Sequence, residues 1–258
     1  KNLKRLIMYR MFGKVILRMD GLVRFDFKQM SFVSLLRVAK VNLSCLLSIL
    51  FAHTIIVQSH YLHERYKILF KFLKKNTFVI NNGVDTEFFK PTDKVISEKQ
   101  DIICVEGTVH GQYAANILAN LESVTVNVYG EVDREFNSRF SFLQFSEHIK
   151  FHGHVTRNDL RKIYTNHKIY LCLEKNPACP NSVLEALSCG LPIIGLKNGS
   201  LPELVGNDAG IIIDYLGPNS APPLSELLDK AINDIFENYG TFSKAARLRA
   251  QYFEKNKV

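Results

Sequence analysis

The chain has 258 residues, 47% hydrophobic and 22% charged, which argues against wholesale disorder and supplies one large core or two modest ones. Its formal net charge is +8, but the charge is uneven: residues 1–90 hold 16 Lys/Arg against 5 Asp/Glu, and residues 91–258 hold 17 against 20. The basic front third carries no zinc-finger spacing and no aromatic RNP-like run, which sets nucleic acid aside as a partner and leaves an anionic membrane surface or plain solvation.

Lys1–Lys14 is basic but is followed by no apolar core and cleavage pattern of a signal peptide. Val15–Arg18 reads as a strand and Ser34–Phe51 as a helix. The most apolar stretch, Val41–Val57, is too short and too polar to span a bilayer. Strands follow at Thr54–Gln58 and Thr77–Ile80. A polar stretch from Lys90 to Asp101, just after a turn-like Asn82-Gly83, reads as a linker, with the domain boundary near Pro91. Beyond it, apolar runs alternate with helix-like segments. The strands are Ile102–Glu106, Val124–Tyr129, Ile149–Phe151, Ile169–Leu173, Pro192–Gly195 and Gly210–Ile213. The helices are Gln112–Asn120, Arg157–Asn166, Ser182–Cys189, Leu224–Glu237 and Phe242–Lys255. Continuous apolar strands in such alternation are the signature of a parallel sheet covered on both faces.

The segment richest in chemistry runs from Asn176 to Gly195. A strand passes through a loop into a helix whose cap is expected at Asn181 or Ser182, and which stops at Gly190. The free amides of such a helix mouth, at the carboxyl end of a parallel strand, favour an anion such as a diphosphate. Glu185 lies one turn in. Its carboxylate would repel phosphate, so ribose hydroxyls suit it better; a solvent-facing helix glutamate is the plain alternative. A second segment, Asn198-Gly-Ser-Leu-Pro-Glu-Leu-Val, places Pro202 and Glu203 in the first turn of a short helix. A third, Cys104-Val-Glu-Gly-Thr-Val-His-Gly, keeps Gly107 and Gly111 in a flexible loop with His110 as its base. His152 and His154, two apart on a strand, lack a third ligand, and no metal site is expected.

Together, Pro180-Asn-Ser-Val-Leu-Glu-Ala-Leu-Ser-Cys-Gly-Leu-Pro and Asn198-Gly-Ser-Leu-Pro-Glu resemble the donor site of the group 1 glycosyltransferases, the retaining family 4 of GT-B fold. Ile80-Asn-Asn-Gly-Val-Asp-Thr-Glu-Phe-Phe-Lys-Pro91 is similar to the inter-domain segment of that family. Val15–Gly21 and Val57-Gln-Ser-His60 are similar to its acceptor domain. The resemblance implies two Rossmann-like α/β domains with parallel sheets: an acceptor-side domain over 1–91, incomplete at its front, and a nucleotide-sugar-binding domain over 92–258. It implies that Glu185 holds the ribose. The donor would also meet Asn181, Ser182, Val183, Gly199 and Glu203, with Gly107, His110 and Gly111 near the phosphates. Arg18, Asp20, Gly21, Ser59 and His60 would line the acceptor side.

Two departures stand out. Pro177 occupies the place of the first glutamate of the Glu-x7-Glu motif, so the catalytic residue stays open, with Glu174 as a substitute. The Arg and Lys that usually follow the first strand of the donor domain are missing. The implied activity is sugar transfer from a nucleotide-sugar to a saccharide or lipid-linked acceptor, without metal or other cofactor. A non-catalytic nucleotide-sugar-binding or assembly protein is the alternative. The five cysteines form no CxxC pair, which points to a reduced, cytoplasmic protein that can lie against a membrane face.

Overall fold

The computed structural model describes residues 13–19, 32–70, 73–92, 101–218 and 221–256. The chain folds as two compact units, Lys1–Asn81 and Asn82–Val258.

In the first unit, β1 (Ile16–Met19), α1 (Phe32–Phe51), β2 (Thr54–Val57), α2 (His60–Phe70) and β3 (Asn76–Val79) follow in order. The three strands form a parallel sheet in the order β1-β2-β3. Ile49, Ala52, Ile55, Val57, Tyr66 and Phe70 pack into its core. Helix α2 is absent from the sequence expectations because, of its eleven residues, Tyr66 and Phe70 are the buried pair and the rest carry little amphipathic pattern. Ser59 starts it: its hydroxyl accepts from the Leu62 N–H (3.2 Å) and its carbonyl from the His63 N–H (3.0 Å). Among the described residues no helix is long and apolar enough to cross a membrane.

The second unit contains β4 (Ile102–Val109), α3 (Gly111–Leu118), β5 (Val126–Val132), α4 (Arg134–Arg139), β6 (Ile149–Gly153) and α5 (Arg157–Thr165). It continues with β7 (Ile169–Leu171), α6 (Asn181–Ser188), β8 (Ile193–Leu196), α7 (Leu201–Val205), β9 (Gly210–Ile213), α8 (Leu224–Glu237) and α9 (Tyr239–Ala250). The sheet order is β6-β5-β4-β7-β8-β9, and every pairing is parallel. Alternate residues of β4 explain why its apolar run is continuous. Ile102 and Cys104 enter one core cluster, Ile103 and Val105 the other, so helices cover both faces. The sheet grows outward from β4 in one direction and from β7 in the other. The crevice at the carboxyl ends of these two strands is therefore the topological switch point, where open α/β sheets hold ligands.

The division between the units falls before the boundary expected near Pro91. Residues 82–91 belong with the second unit because its last turn and α6 hold them. The Val84 N–H donates to the Phe253 carbonyl (2.7 Å), and the Lys255 N–H to the Val84 carbonyl (3.0 Å). Arg247 reaches the carbonyls of Phe89 (3.1 Å), Ser188 (2.8 Å) and Thr86 (3.0 Å). The helix expected over Phe242–Lys255 ends instead at Ala250. A short 3-10 turn, Gln251–Phe253, follows and buries Phe253.

Candidate functional site

A cleft of about 360 Å³ opens at the switch point. Val105, Glu106 and Gly107 of β4, Tyr129 and Gly130 of β5, and Glu174 beyond β7 line it. His154, Val155 and Leu160 line it as well, and Pro180, Asn181 and Ser182 form the mouth of α6.

The mouth of α6 differs from the sequence expectation. The cap is Pro180, with no side-chain capping bond, and Asn181 is the first helical residue. The Asn181 Oδ1 instead accepts from Asn82 Nδ2 (2.8 Å), which also donates to the Cys179 carbonyl (2.7 Å). The intrahelical ladder begins with the Leu184 N–H on the Pro180 carbonyl (3.4 Å). The N–H groups of Asn181, Ser182 and Val183 precede it and concentrate the positive end of the helix dipole at the cleft. The far end closes with a Schellman turn: the Leu191 N–H donates to the Ala186 carbonyl and the Gly190 N–H to that of Leu187, each 2.9 Å, with Gly190 at φ 80°.

Beneath the mouth, the buried Tyr170 hydroxyl lies 2.9 Å from the Val105 carbonyl, to which it donates, and 2.9 Å from Ser182 Oγ. It ties the start of α6 to the end of β4. Here β4 carries a bulge: its pairing with β5 shifts register between Val105 and Thr108. The bulge turns Glu106 and Gly107 toward the cleft. It also requires Gly130 opposite, since a Cβ there would stand 2.0 Å from the Glu106 carbonyl oxygen. The Glu106 carboxyl accepts from the Leu173 N–H (3.3 Å). Burial, and then the charge of Glu174, push its pKa up to about 8. The Glu174 pKa is raised by desolvation too, although the residue as a whole is exposed at the rim. Among the described residues lining the cleft, none is lysine or arginine.

Glu185 lies outside this lining, one turn along α6. Its Oε2 accepts from the buried Tyr164 hydroxyl (3.2 Å). Burial raises its carboxyl to about 6, against the lowering effects of Tyr164 and the Arg157 charge. Arg157 itself lies over the Phe88 and Phe89 rings, 5.4 and 5.6 Å from their centroids.

Pro177 is buried against the second loop. Its carbonyl accepts from the Ser200 N–H (2.9 Å), and the Asn176 N–H is held by Asn198 Oδ1. Gly199 sits at φ 58° directly on Pro177. Glu203 stands in the first turn of α7, and its carbonyl accepts from Arg249.

Of the expected donor residues, the cleft thus gathers Gly107, Asn181 and Ser182, together with Glu174, the candidate catalytic substitute. Val183 is buried behind the mouth. His110 and Gly111 are exposed at the start of α3, and His110 makes no capping bond. His152 and His154 do not share a strand face, as their spacing suggested. Gly153, at φ 72°, ends β6 between them. His152 instead stacks on Tyr129 (4.5 Å) and bonds Asn127 Oδ1 (2.8 Å). On the acceptor side Ser59 is the buried cap of α2, while Arg18 and His60 are exposed; Asp20 and Gly21 lie outside the described residues. Sequence reasoning missed Glu106, and the one charged residue inside Ile102–Val109 was the available signal.

The sequence profile of the family Glycosyl transferases group 1 matches residues 112–249, more than half the chain. The chain belongs to that family. Among relatives of the group 1 glycosyl transferases, the phosphatidylinositol N-acetylglucosaminyltransferase GPI3 subunit of Saccharomyces cerevisiae (strain YJM789) is 26% identical over 173 residues. The match covers 61% of this chain, and the chain spans 38% of that relative's length. Sucrose-phosphate synthase from Thermosynechococcus elongatus superposes with a TM-score of 0.73 at 16% identity, over 95% of this chain and 65% of the other. HepE of Anabaena, in a complex with UDP, gives 0.65 at 18% identity, over 98% and 73%. These likenesses show the fold, which is GT-B, with its parallel α/β sheets.

Proposed function

We propose that the protein is a glycosyltransferase that takes a sugar from a nucleotide-sugar donor bound in the second unit. The open mouth of α6 at the switch point between β4 and β7 carries this reading. Three amides ahead of the helical ladder suit a diphosphate, whose charge grows as the sugar leaves. Binding of UDP by HepE, a neighbour of the same fold, supports a nucleoside diphosphate as the ligand class.

With no lysine or arginine among the described residues of the cleft lining, those amides are assigned the phosphate charge. Burial keeps Glu106 protonated near neutral pH, so that it does not repel the diphosphate and has a proton to donate. Val155 and Leu160 give an apolar wall for the nucleoside. Glu185, steadied by Tyr164, is assigned to the ribose, and Gly199 and Glu203 to the sugar side. The reaction is assigned to proceed without a metal and with retention at the anomeric carbon. The acceptor is a saccharide or a lipid-linked sugar in glycan or surface polysaccharide synthesis. The first unit, with the exposed Arg18 and His60, is assigned to receive it, against the cytoplasmic face of an anionic membrane; Ser59, buried as the cap of α2, is left out of that assignment.

Pro177 favours a second reading, a non-catalytic protein that binds a nucleotide-sugar, because it removes the expected carboxylate. Incubating the protein with a panel of nucleotide-sugars and saccharide or polyprenyl-phosphate acceptors tests both. Acceptor-dependent release of nucleoside diphosphate, with a retained anomer by NMR, is expected. Binding without turnover, unchanged by Pro177→Glu, would select the second reading. No binding of any nucleotide-sugar would remove both.

A further inference from the structure

The cleft at the switch point carries two carboxyls, Glu106 and Glu174, and among its described lining residues no lysine or arginine. One of these carboxyls is built into the wall. The bulge of β4 brings Glu106 to the cleft, and Gly130 opposite makes room for its carbonyl. The preceding carbonyl, that of Val105, is tied through the Tyr170 hydroxyl to Ser182 at the mouth of α6. Glu106 is thus one residue from the anchor of the helix mouth.

One oxygen of its carboxyl is in use. Oε1 accepts from the Leu173 N–H (3.3 Å). An N–H gives and cannot take, so Oε1 is the carbonyl oxygen of the neutral acid and the proton sits on Oε2. Among the described residues nothing bonds Oε2, and it is not sealed away from the surface of the cleft that Glu106 lines. The proton is therefore on offer to a ligand.

The titratable groups around Glu106 are Cys104 on β4, Tyr113 on α3, Tyr129 on β5, Tyr170 on β7, Cys172 and Glu174 just beyond β7, and His154 in the lining. The α6 residues of the lining add none. Burial raises the two thiols and three phenols, which stay neutral. Burial acts first on Glu106 as well, and the charge of Glu174 acts in the same direction.

We propose that Glu106 supplies with a proton what an arginine or lysine would supply with charge: its Oε2–H donates to the diphosphate of a bound nucleotide-sugar, and binding takes up one proton wherever Glu106 is ionised. The inference rests on the reading of the cleft as a nucleotide-sugar site. A carboxylate beside the diphosphate would repel it, whereas the acid gives it a charge-assisted hydrogen bond, so the ligand draws the proton in. The free protein holds this carboxyl at a pKa of about 8, which fixes the sign. Affinity is highest where the free carboxyl is already protonated and falls as pH rises past that value.

Calorimetric titration of the full chain with UDP-, GDP-, ADP- and dTDP-glucose, in buffers of different ionisation enthalpy, tests this. The diphosphate of a nucleotide-sugar has no group that titrates near or above neutral pH, so proton uptake reports on the protein. Between about pH 7 and about pH 9, uptake should rise from near zero to nearly one proton and affinity should fall about tenfold. Glu106→Gln keeps an N–H donor in place. It should bind with no uptake and with an affinity independent of pH, a result that lost packing would not produce. Glu174→Gln should keep the uptake, with affinity falling from a lower pH because a neighbouring charge is gone. Binding by the parent without uptake, or uptake that persists in Glu106→Gln, would overturn the proposal and leave the nucleotide-sugar reading standing. No binding of any of the four by the folded chain would remove both.

Discussion

Gly199 and Pro177 are in direct contact: a Cβ built on Gly199 would stand 2.4 Å from both the nitrogen and the Cδ of the proline. The loop after β7 and the turn after β8 are thereby locked together, with the Ser200 N–H on the Pro177 carbonyl (2.9 Å). The residue that departs from the family motif is therefore a structural clamp in this chain. Gly199→Ala adds a clash to an unfavourable φ of 58°, and should cost about 2 kcal/mol. Urea unfolding measures it; a midpoint unchanged within error would show that the two loops part without cost.

Arg247 is the corresponding clamp at the other end of α6. Besides its three backbone carbonyls it donates to Ser188 Oγ (3.0 Å). Arg247→Ala leaves these acceptors unpaired and should destabilise the second unit by about 3 kcal/mol. Arg247→Lys should recover less than half of that, because an ammonium cannot reproduce the planar fork. Full recovery by lysine, read as Tm, would mean that charge alone matters there.

Glu106 ties stability to pH. Its carboxyl pKa is raised from 4.5 to about 8, so between those values the folded state holds a proton that the unfolded state has released. This contribution is present below pH 4.5 and is lost as pH rises toward 8, a fall of up to about 5 kcal/mol. Glu106→Gln should flatten the decline, and should be more stable than the parent at pH 8. Parallel stability–pH curves for the two proteins would refute the assignment.

Tyr164→Phe removes the donor to Glu185, which lowers that carboxyl toward its present value of about 6. The variant should move the Glu185 titration upward, as followed by carbon-detected NMR of its side chain. It should cost about 1 kcal/mol of stability. If Glu185 holds a ribose, affinity for a nucleoside diphosphate should fall with it. An unmoved titration would mean that the hydrogen bond does not form in solution.

The strands were readable because β-branched runs such as Thr54–Val57 and Ile193–Leu196 state their burial directly. The mouth of α6 was readable because a loop rich in Pro and Asn ran into an apolar helical repeat. Its cap was misjudged because Asn181 is engaged by Asn82, a partner 99 residues away. The place of residues 82–91 was hidden for the same reason, since its anchors, Phe253 and Arg247, come from the last helical turns. Glu106 was overlooked because its environment is created by a bulge, and only the register between β4 and β5 reveals that.

Hydrogen exchange of the backbone amides, with and without a nucleoside diphosphate, tests the central claim most directly. The account predicts that exchange at Asn181, Ser182 and Val183 slows when ligand is added, together with the amides of Glu106 and Gly107 beside them. A nucleoside diphosphate that binds and leaves the first turn of α6 unprotected would contradict it.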